Sequence, residues 1–471
     1  MNLHHRTDKH NTNTAVFTTL YCLYLLVCVG CATHADHVRN ARNHFHSGNI
    51  ISAKSDIDEE LKKGKKKNSD VLKLDQSIIE LFSGEPQNAK TSLREVRDSF
   101  EYLEQKNAAE DVLAMLSDEN AVQYPGEDYE KIMIRVMLTL ADLMDGGEDA
   151  TAYATQINLK QDAIIRNGGI KYTSELPNKP NVIPKKPESD LEYNPKTAYK
   201  HLAIGPYLHG LIREETLVNY DDAFRDYRLV SYLEPTFTQG LRDLDRVQNG
   251  RHSARGNGVL YVFAFTGKGP YKERDEAEAT QFSLLIADRI FSATNKYSVP
   301  PTVAPVPIPK IVAPYNRIDS IGVSSDGQPI GRTDTITNIS RIAHEQFEAT
   351  KHMIIARAVM RRVVKKGTIY AAKEIADVNP WISLAMDAGG VIWEATETAD
   401  TRCWGLLPEK IQVLRLELPE GEHRIELQPL GSGGTAIGAK HAQNVVISRG
   451  RNSYMLANFP NEKPVGKIQV H

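Results

Sequence analysis

The sequence predicts an α+β chain: a helical-repeat domain over residues 31–240, then a mixed domain over residues 241–471 built on one long helix and a small antiparallel β unit. Three observations carry this. Apolar residues recur three or four apart through the first half, the period of helices with one buried face. After about residue 245 the pattern changes, and residues 258–266 (GVLYVFAFT) read as a buried strand. Near the end, Pro419-Glu420-Gly421-Glu422 and Arg449-Gly450-Arg451-Asn452 each separate two strand-like runs, which reads as two hairpins. With 471 residues, 41% hydrophobic and 25% charged, the chain has material for more than one core.

The amino terminus differs from the rest. Residues 1–14 are polar, residues 15–29 (AVFTTLYCLYLLVCV) are apolar, and Gly30-Cys31-Ala32 follows. An apolar run of about 15 residues suits a secretory signal better than a bilayer-spanning helix, which needs roughly 20. Val27-Cys28-Val29-Gly30-Cys31 resembles a bacterial lipobox, with Cys28 where Leu is usual. The resemblance implies a lipoprotein signal peptide over residues 1–30, cleavage before Cys31 and diacylglycerol on its sulfur. Ala32 after it resembles the outer-membrane pattern, so the expected location is the cell envelope, lipid-anchored in the outer membrane and facing the periplasm. Of the four cysteines only Cys31 and Cys403 would remain after cleavage, which leaves no internal disulfide and no cysteine-based zinc site.

Within residues 31–240 a repeat is discernible. Gly48 and Ala53, Gly84 and Ala89, and Gly147 and Ala152 share one spacing: a Gly that turns the chain, then an Ala that lets two helices approach. Tyr207, Gly210, Tyr220, Asp221, Asp222, Ala223, Tyr227 and Pro235 resemble the second half of a tetratricopeptide unit. The spacings are irregular, so the repeats are degenerate, and an irregular helical bundle is the plain alternative. Stacked helix pairs bind peptide segments or partner proteins, which makes Tyr207, Tyr220 and Tyr227 candidate contacts. Lys62-Lys63-Gly64-Lys65-Lys66-Lys67 reads as a solvated loop or as a contact for anionic headgroups or polymer. Residues 173–196, with repeated prolines, read as an extended connector.

In the mixed domain, residues 277–291 read as a helix, residues 299–314 as an edge strand or polyproline-like run, and residues 336–376 as one long helix, breakable near Gly367. Basic and apolar residues alternate over 356–366, where Ala358, Val359, Val363 and Val364 read as core-facing, with a membrane surface as the alternative. The order Gly126-Glu127-Asp128-Tyr129-Glu130-Lys131, the Tyr207–Pro235 unit, Asp400-Thr401-Arg402-Cys403-Trp404, Leu407-Pro408 and Ile411-Gln412 is similar to a family of bacterial envelope lipoproteins. Those proteins carry amino-terminal tetratricopeptide-like helices and a carboxy-terminal domain of unassigned activity. The resemblance spans nearly the whole mature chain and implies an envelope location but no catalytic residues. Arg402 and Trp404 read either as core, with Arg402 paired to Asp400, or as contacts to a ligand or partner.

Several chemistries are set aside. His344, Glu348 and His352 share a helix face, but the zincin order is not met and the two histidines lie about 12 Å apart along the axis. Gly256-Asn257-Gly258 precedes a strand rather than following one, and Gly267-Lys268-Gly269-Pro270 lacks a phosphate-loop spacing. A net charge of -3 gives no case for nucleic acid. The expectation is a non-enzymatic protein without cofactor or metal: a membrane-anchored envelope lipoprotein that scaffolds an envelope protein partner through its helical repeats. The alternatives are a carboxy-terminal domain that binds a small ligand or cell-wall polymer, and an unrecognised envelope hydrolase.

Overall fold

A computed structural model describes residues 33–107, 122–166, 201–216, 219–294, 304–375 and 398–471. The signal segment with Cys31, and the connector at 173–196, lie outside the described residues. The chain is mixed α and β.

The helices come first: α1 His34–His37, α2 Arg39–His46, α3 Ile50–Lys62, α4 Lys66–Ser83, α5 Pro86–Asn107, α6 Asp128–Leu143, α7 Ala150–Arg166, α8 Ile204–Glu215, α9 Tyr220–Leu233 and α10 Thr238–Gln248. From α2 to α10 each helix packs against the next in sequence. Local signals set the ends. Asn49 caps α3 by accepting the Ser52 N–H at 3.2 Å. Gly84, at φ 82°, ends α4 in the left-handed conformation that a residue with a Cβ avoids. Gly48, Gly84 and Gly147 all turn the chain between helices at positive φ. Ala53 and Ala89 are fully buried, as close helix approach requires. Ala152 is exposed instead, and Ala150 and Ala154 fill that role on α7. Gly210 ends no helix; it lies within α8, where a Cβ would meet Asp226 and Tyr227 of α9.

The strands follow: β1 Asn257–Lys268, β2 Tyr271–Ala277, β3 Val306–Val312, β4 Ser320–Ser325, β5 Gln328–Arg332, β6 Asp334–Asn338, β7 Pro408–Pro419, β8 Gly421–Leu430, β9 His441–Ile447, β10 Asn452–Phe459 and β11 Gln469–Val470. Two helices interrupt them, α11 Gln281–Thr294 and α12 Ile339–Ile375, the latter continuous through Gly367. A five-stranded sheet runs β11-β10-β1-β7-β6, and a four-stranded sheet runs β5-β4-β8-β9. β1 lies central in the larger sheet, parallel to β10 and antiparallel to β7.

Alternation along β1 explains the layering. Val259, Tyr261, Phe263 and Phe265 face the helices and join their core. Leu260, Val262 and Ala264 face the four-stranded sheet, meeting Ile321, Val323, Ile425, Leu427, Val445 and Ile447. The described chain thus has a helical layer, a five-stranded sheet and a four-stranded sheet, together with a two-stranded antiparallel sheet of β2 and β3. Helices of the first half and strands of the second share one apolar core. A third cluster joins α11, β3 and the middle of α12, with Ala358 and Val359 inside it and Val363 and Val364 against it.

Two expectations are corrected. Neither Pro419-Glu420-Gly421-Glu422 nor Arg449-Gly450-Arg451-Asn452 closes a hairpin. β7 pairs with β1 and β6 while β8 pairs with β4 and β9. β9 lies in the small sheet and β10 in the large one. Each turn therefore carries the chain from one sheet to the other. Their backbone bonds go to the start of β1: the Glu420 N–H to Gly256 O at 3.0 Å, and the Gly450 N–H to Asn257 O at 2.9 Å. The β part is accordingly several small sheets rather than one antiparallel unit, and residues of the helical layer share the core of the five-stranded sheet.

Candidate functional site

The segment over residues 398–407, just before β7, carries the motif that stood out in the sequence. Ala399, Thr401, Arg402, Cys403, Trp404, Leu406 and Leu407 are all buried. It lies against the helical layer, turning at Gly405 and Leu406, and helix side chains take two of its backbone donors. The Trp404 N–H donates to Glu130 Oε1 of α6 at 2.7 Å. Two residues on, the Leu406 N–H donates to Asp75 Oδ1 of α4 at 3.0 Å. Thr401 Oγ1 accepts the Ala35 N–H of α1 at 3.1 Å. Gly405 admits the Arg42 side chain, where a Cβ would stand 3.1 Å from Arg42 Cδ.

Arg402 is fixed on several sides. Its Nη2 donates to Asp400 Oδ2 at 2.7 Å and its Nε to Oδ1 at 2.9 Å, the forked geometry only Arg provides. Its Nη1 donates to the carbonyls of Lys67 and Val122, and its guanidinium lies over the Tyr124 ring. Arg402 and Trp404 are thus enclosed and offer no open surface to a ligand.

Burial governs the charges around this segment. It pushes the Asp75 carboxyl up to about 7 and the Cys403 thiol up to about 12. It raises Glu130 as well. Asp400 is buried too, but its bonds to Arg402 outweigh that cost and hold it below the usual carboxylate range. Lys272 of β2 pairs with Glu127 beside it. Sequence reasoning missed Asp75 and Glu130. The available signal was a carboxylate inside an apolar helical stripe: Asp75 lies between Val71 and Ile78 on the buried side of α4.

Tyr207 and Tyr227 are fully buried between α8, α9 and β1. The Tyr207 hydroxyl donates to Asp243 at 3.0 Å and the Tyr227 hydroxyl to Glu214 at 2.9 Å. Their rings, with Phe237 and Tyr261, form an aromatic seam joining helices to sheet. Tyr220 is partly buried at its margin. Burial lifts Asp243 to about 6. Arg246 bridges Asp243 and Glu214. These tyrosines therefore hold the layers together instead of lining an open groove.

His344 and His352 do not converge. His352 Nδ1 stands 3.3 Å from Thr280 Oγ1, and its ring meets Phe282 edge-on. Among the described residues no group of His, Cys, Asp or Glu is placed to hold a metal ion. No described helix is long and apolar enough to cross a membrane.

Among the described residues an open feature lies elsewhere. A cleft of about 690 Å³ lies along α3, lined by Ile50, Ile51, Lys54, Ser55, Asp58 and Lys62 among others, and closed by Phe82, Glu85 and Lys467. Ile51 is 85% exposed there. Gly466, at φ 78°, lets the carboxy-terminal strap reach α4, where the Lys467 N–H donates to Phe82 O at 2.8 Å. No protein family, curated protein or solved structure matches this chain.

Proposed function

We propose that this protein is a lipid-tethered scaffold of the bacterial cell envelope, not an enzyme. In this reading Cys31 carries the lipid, in the outer membrane facing the periplasm. Degenerate tetratricopeptide-like hairpins receive a segment of an envelope protein partner. The observation that carries the reading is the cleft along α3. An exposed isoleucine there is flanked by Lys54, Lys62 and Lys467 and by Asp58, Glu59 and Glu85. Such a surface suits an extended peptide with an apolar anchor between charges of both signs. The same helical layer already holds a non-helical segment of its own chain at 398–407, with helix carboxylates accepting backbone N–H groups. That segment encloses Arg402 and Trp404, which leaves the cleft on the first hairpins as the open surface for a second chain.

The test is photo-crosslinking in producing cells, with the reactive residue at Ser55 of the full-length chain and a control at Tyr315, which is 90% exposed between β3 and β4. One discrete protein adduct is expected from Ser55, absent from Tyr315 and abolished by Ile51→Asp. Recovery of cell-wall material alone, or an adduct indifferent to Ile51→Asp, contradicts the reading.

A further inference from the structure

Five lysines surround Gly64 where α3 gives way to α4: Lys62 ends α3, Lys63 and Lys65 lie in the loop, and Lys66 and Lys67 begin α4. Lys62, Lys63, Lys65 and Lys66 are exposed. Lys63 is engaged by Glu59 and Glu60 at 3.7 and 2.5 Å. Among the described residues, no carboxylate stands within ion-pair distance of Lys62, Lys65, Lys66 or Lys67. Their charge does not serve the helix either. Lys65 is the N-cap of α4, Lys66 and Lys67 begin it, and no acid occupies the first turn. Cations at that end oppose the helix dipole.

The position of the loop is more telling than its charge. One of its ends approaches α1, where the described chain begins, and the other meets the 398–407 segment that itself binds α1. On one side His37 Nδ1 lies 3.8 Å from Glu60 Oε2. On the other, the Lys67 carbonyl accepts from Arg402 at 3.1 Å, and neighbouring Thr401 accepts the Ala35 N–H at 3.1 Å. Thr33 is two residues from Cys31, a span of about 7 Å at full extension. Among the described residues Asp36 pairs with Arg39 at 2.5 Å and Asp56 with His44 at 2.7 Å, while Asp58 and Glu59 stand beside Lys62 in the cleft. The lysines and α1, where the described chain begins, therefore share one side of the described structure, and among the described residues four of the five lysines there have no acidic partner.

We infer that residues 62–67 are a footing on an anionic lipid surface, with the unpaired lysines among phosphate headgroups beside the anchor. The orientation rests on the proposed lipidation of Cys31; the lysine surface does not. A tether with a basic patch beside it holds a membrane more firmly than either signal alone, and it turns the cleft on α3 sideways, open to a partner on the same membrane.

The test uses the full chain as Cys31→Ser, so that no acyl group contributes. Its sedimentation is compared on phosphatidylcholine vesicles and on vesicles containing phosphatidylglycerol, at low and high salt. The expected preference for anionic vesicles is about 100-fold at low salt, and it collapses at high salt as the charges are screened. The variant Lys62→Gln, Lys65→Gln, Lys66→Gln, Lys67→Gln, with an unchanged circular dichroism spectrum, should lose the preference. Residues 1–30, with Arg6 and Lys9, are the same in the parent and the glutamine variant, so the difference between their ratios reports the lysines. A ratio near one, or a ratio kept by the glutamine variant, overturns the inference. Retention by a soluble anionic wall polymer without preference between vesicles also overturns it, in favour of polymer binding. Absence of lipid on the wild-type Cys31, read separately by mass spectrometry, leaves the ratio unchanged.

Discussion

Trp404 and Asp75 set the terms at the residue scale. Trp404 is fully buried where the 398–407 segment meets the helices, so Trp404→Ala should cost about 3–5 kcal/mol in denaturant unfolding. A loss under about 1 kcal/mol would mean that the segment is not part of the core. Asp75 makes stability depend on pH. Burial raises its carboxyl to about 7, so the folded chain binds that proton more tightly than the unfolded chain, where it titrates near 4. Its contribution to stability therefore falls as pH rises from about 4 to about 7. His34 has the opposite slope: burial lowers it to about 3, so stability is lost as pH drops below about 6.5. Asp75→Asn keeps an acceptor for the Leu406 N–H and removes the first slope. It should exceed the parent chain by a few kcal/mol at about pH 8 and match it near pH 4. A difference constant with pH would contradict this. The sequence marked Arg402 and Trp404 as exceptional but left open what they face. Asp75 and Glu130 were hidden, because a carboxylate on a helix reads as solvated until its neighbours in space are known.

At the level of elements, helices were more legible than strands. Apolar period and the Gly48, Gly84 and Gly147 turns are local signals, and those glycines turn the chain between helices as expected. The turns at 419–422 and 449–452 were also visible, but a turn states only that the chain reverses. Whether two flanking strands pair or cross between sheets depends on which faces are buried, and both faces of β7 and β1 are covered. Gly258 tests this arrangement. A Cβ there would lie 2.2 Å from the Ser448 carbonyl in the turn that leaves β9. Gly258→Ala should destabilise by about 1–3 kcal/mol or more in urea, because backbone must move. Gly250→Asn serves as the control: Gly250 has φ 61° and open space, and Asn accepts that conformation. Equal effects from the two would show that β1 and the 448–451 turn are not in close contact.

For the whole molecule, the described layers form a body in which the aromatic seam of Tyr207, Tyr227 and Tyr261 and the 398–407 segment bind helices to sheets. The α3 cleft and the lysine loop lie on neighbouring faces of the same hairpins, with Lys62 belonging to both. A tether at Cys31 would place the lysines against the membrane and the cleft beside it, so the proposed anchor orients every other functional feature. The most direct test is mass spectrometry of the amino-terminal peptide from the membrane fraction of producing cells. The expected peptide begins at Cys31 and carries diacylglycerol on its sulfur, with a third acyl chain on its amine. A chain that retains residues 1–30, begins at another residue, or carries an unmodified Cys31 would contradict the proposed anchor.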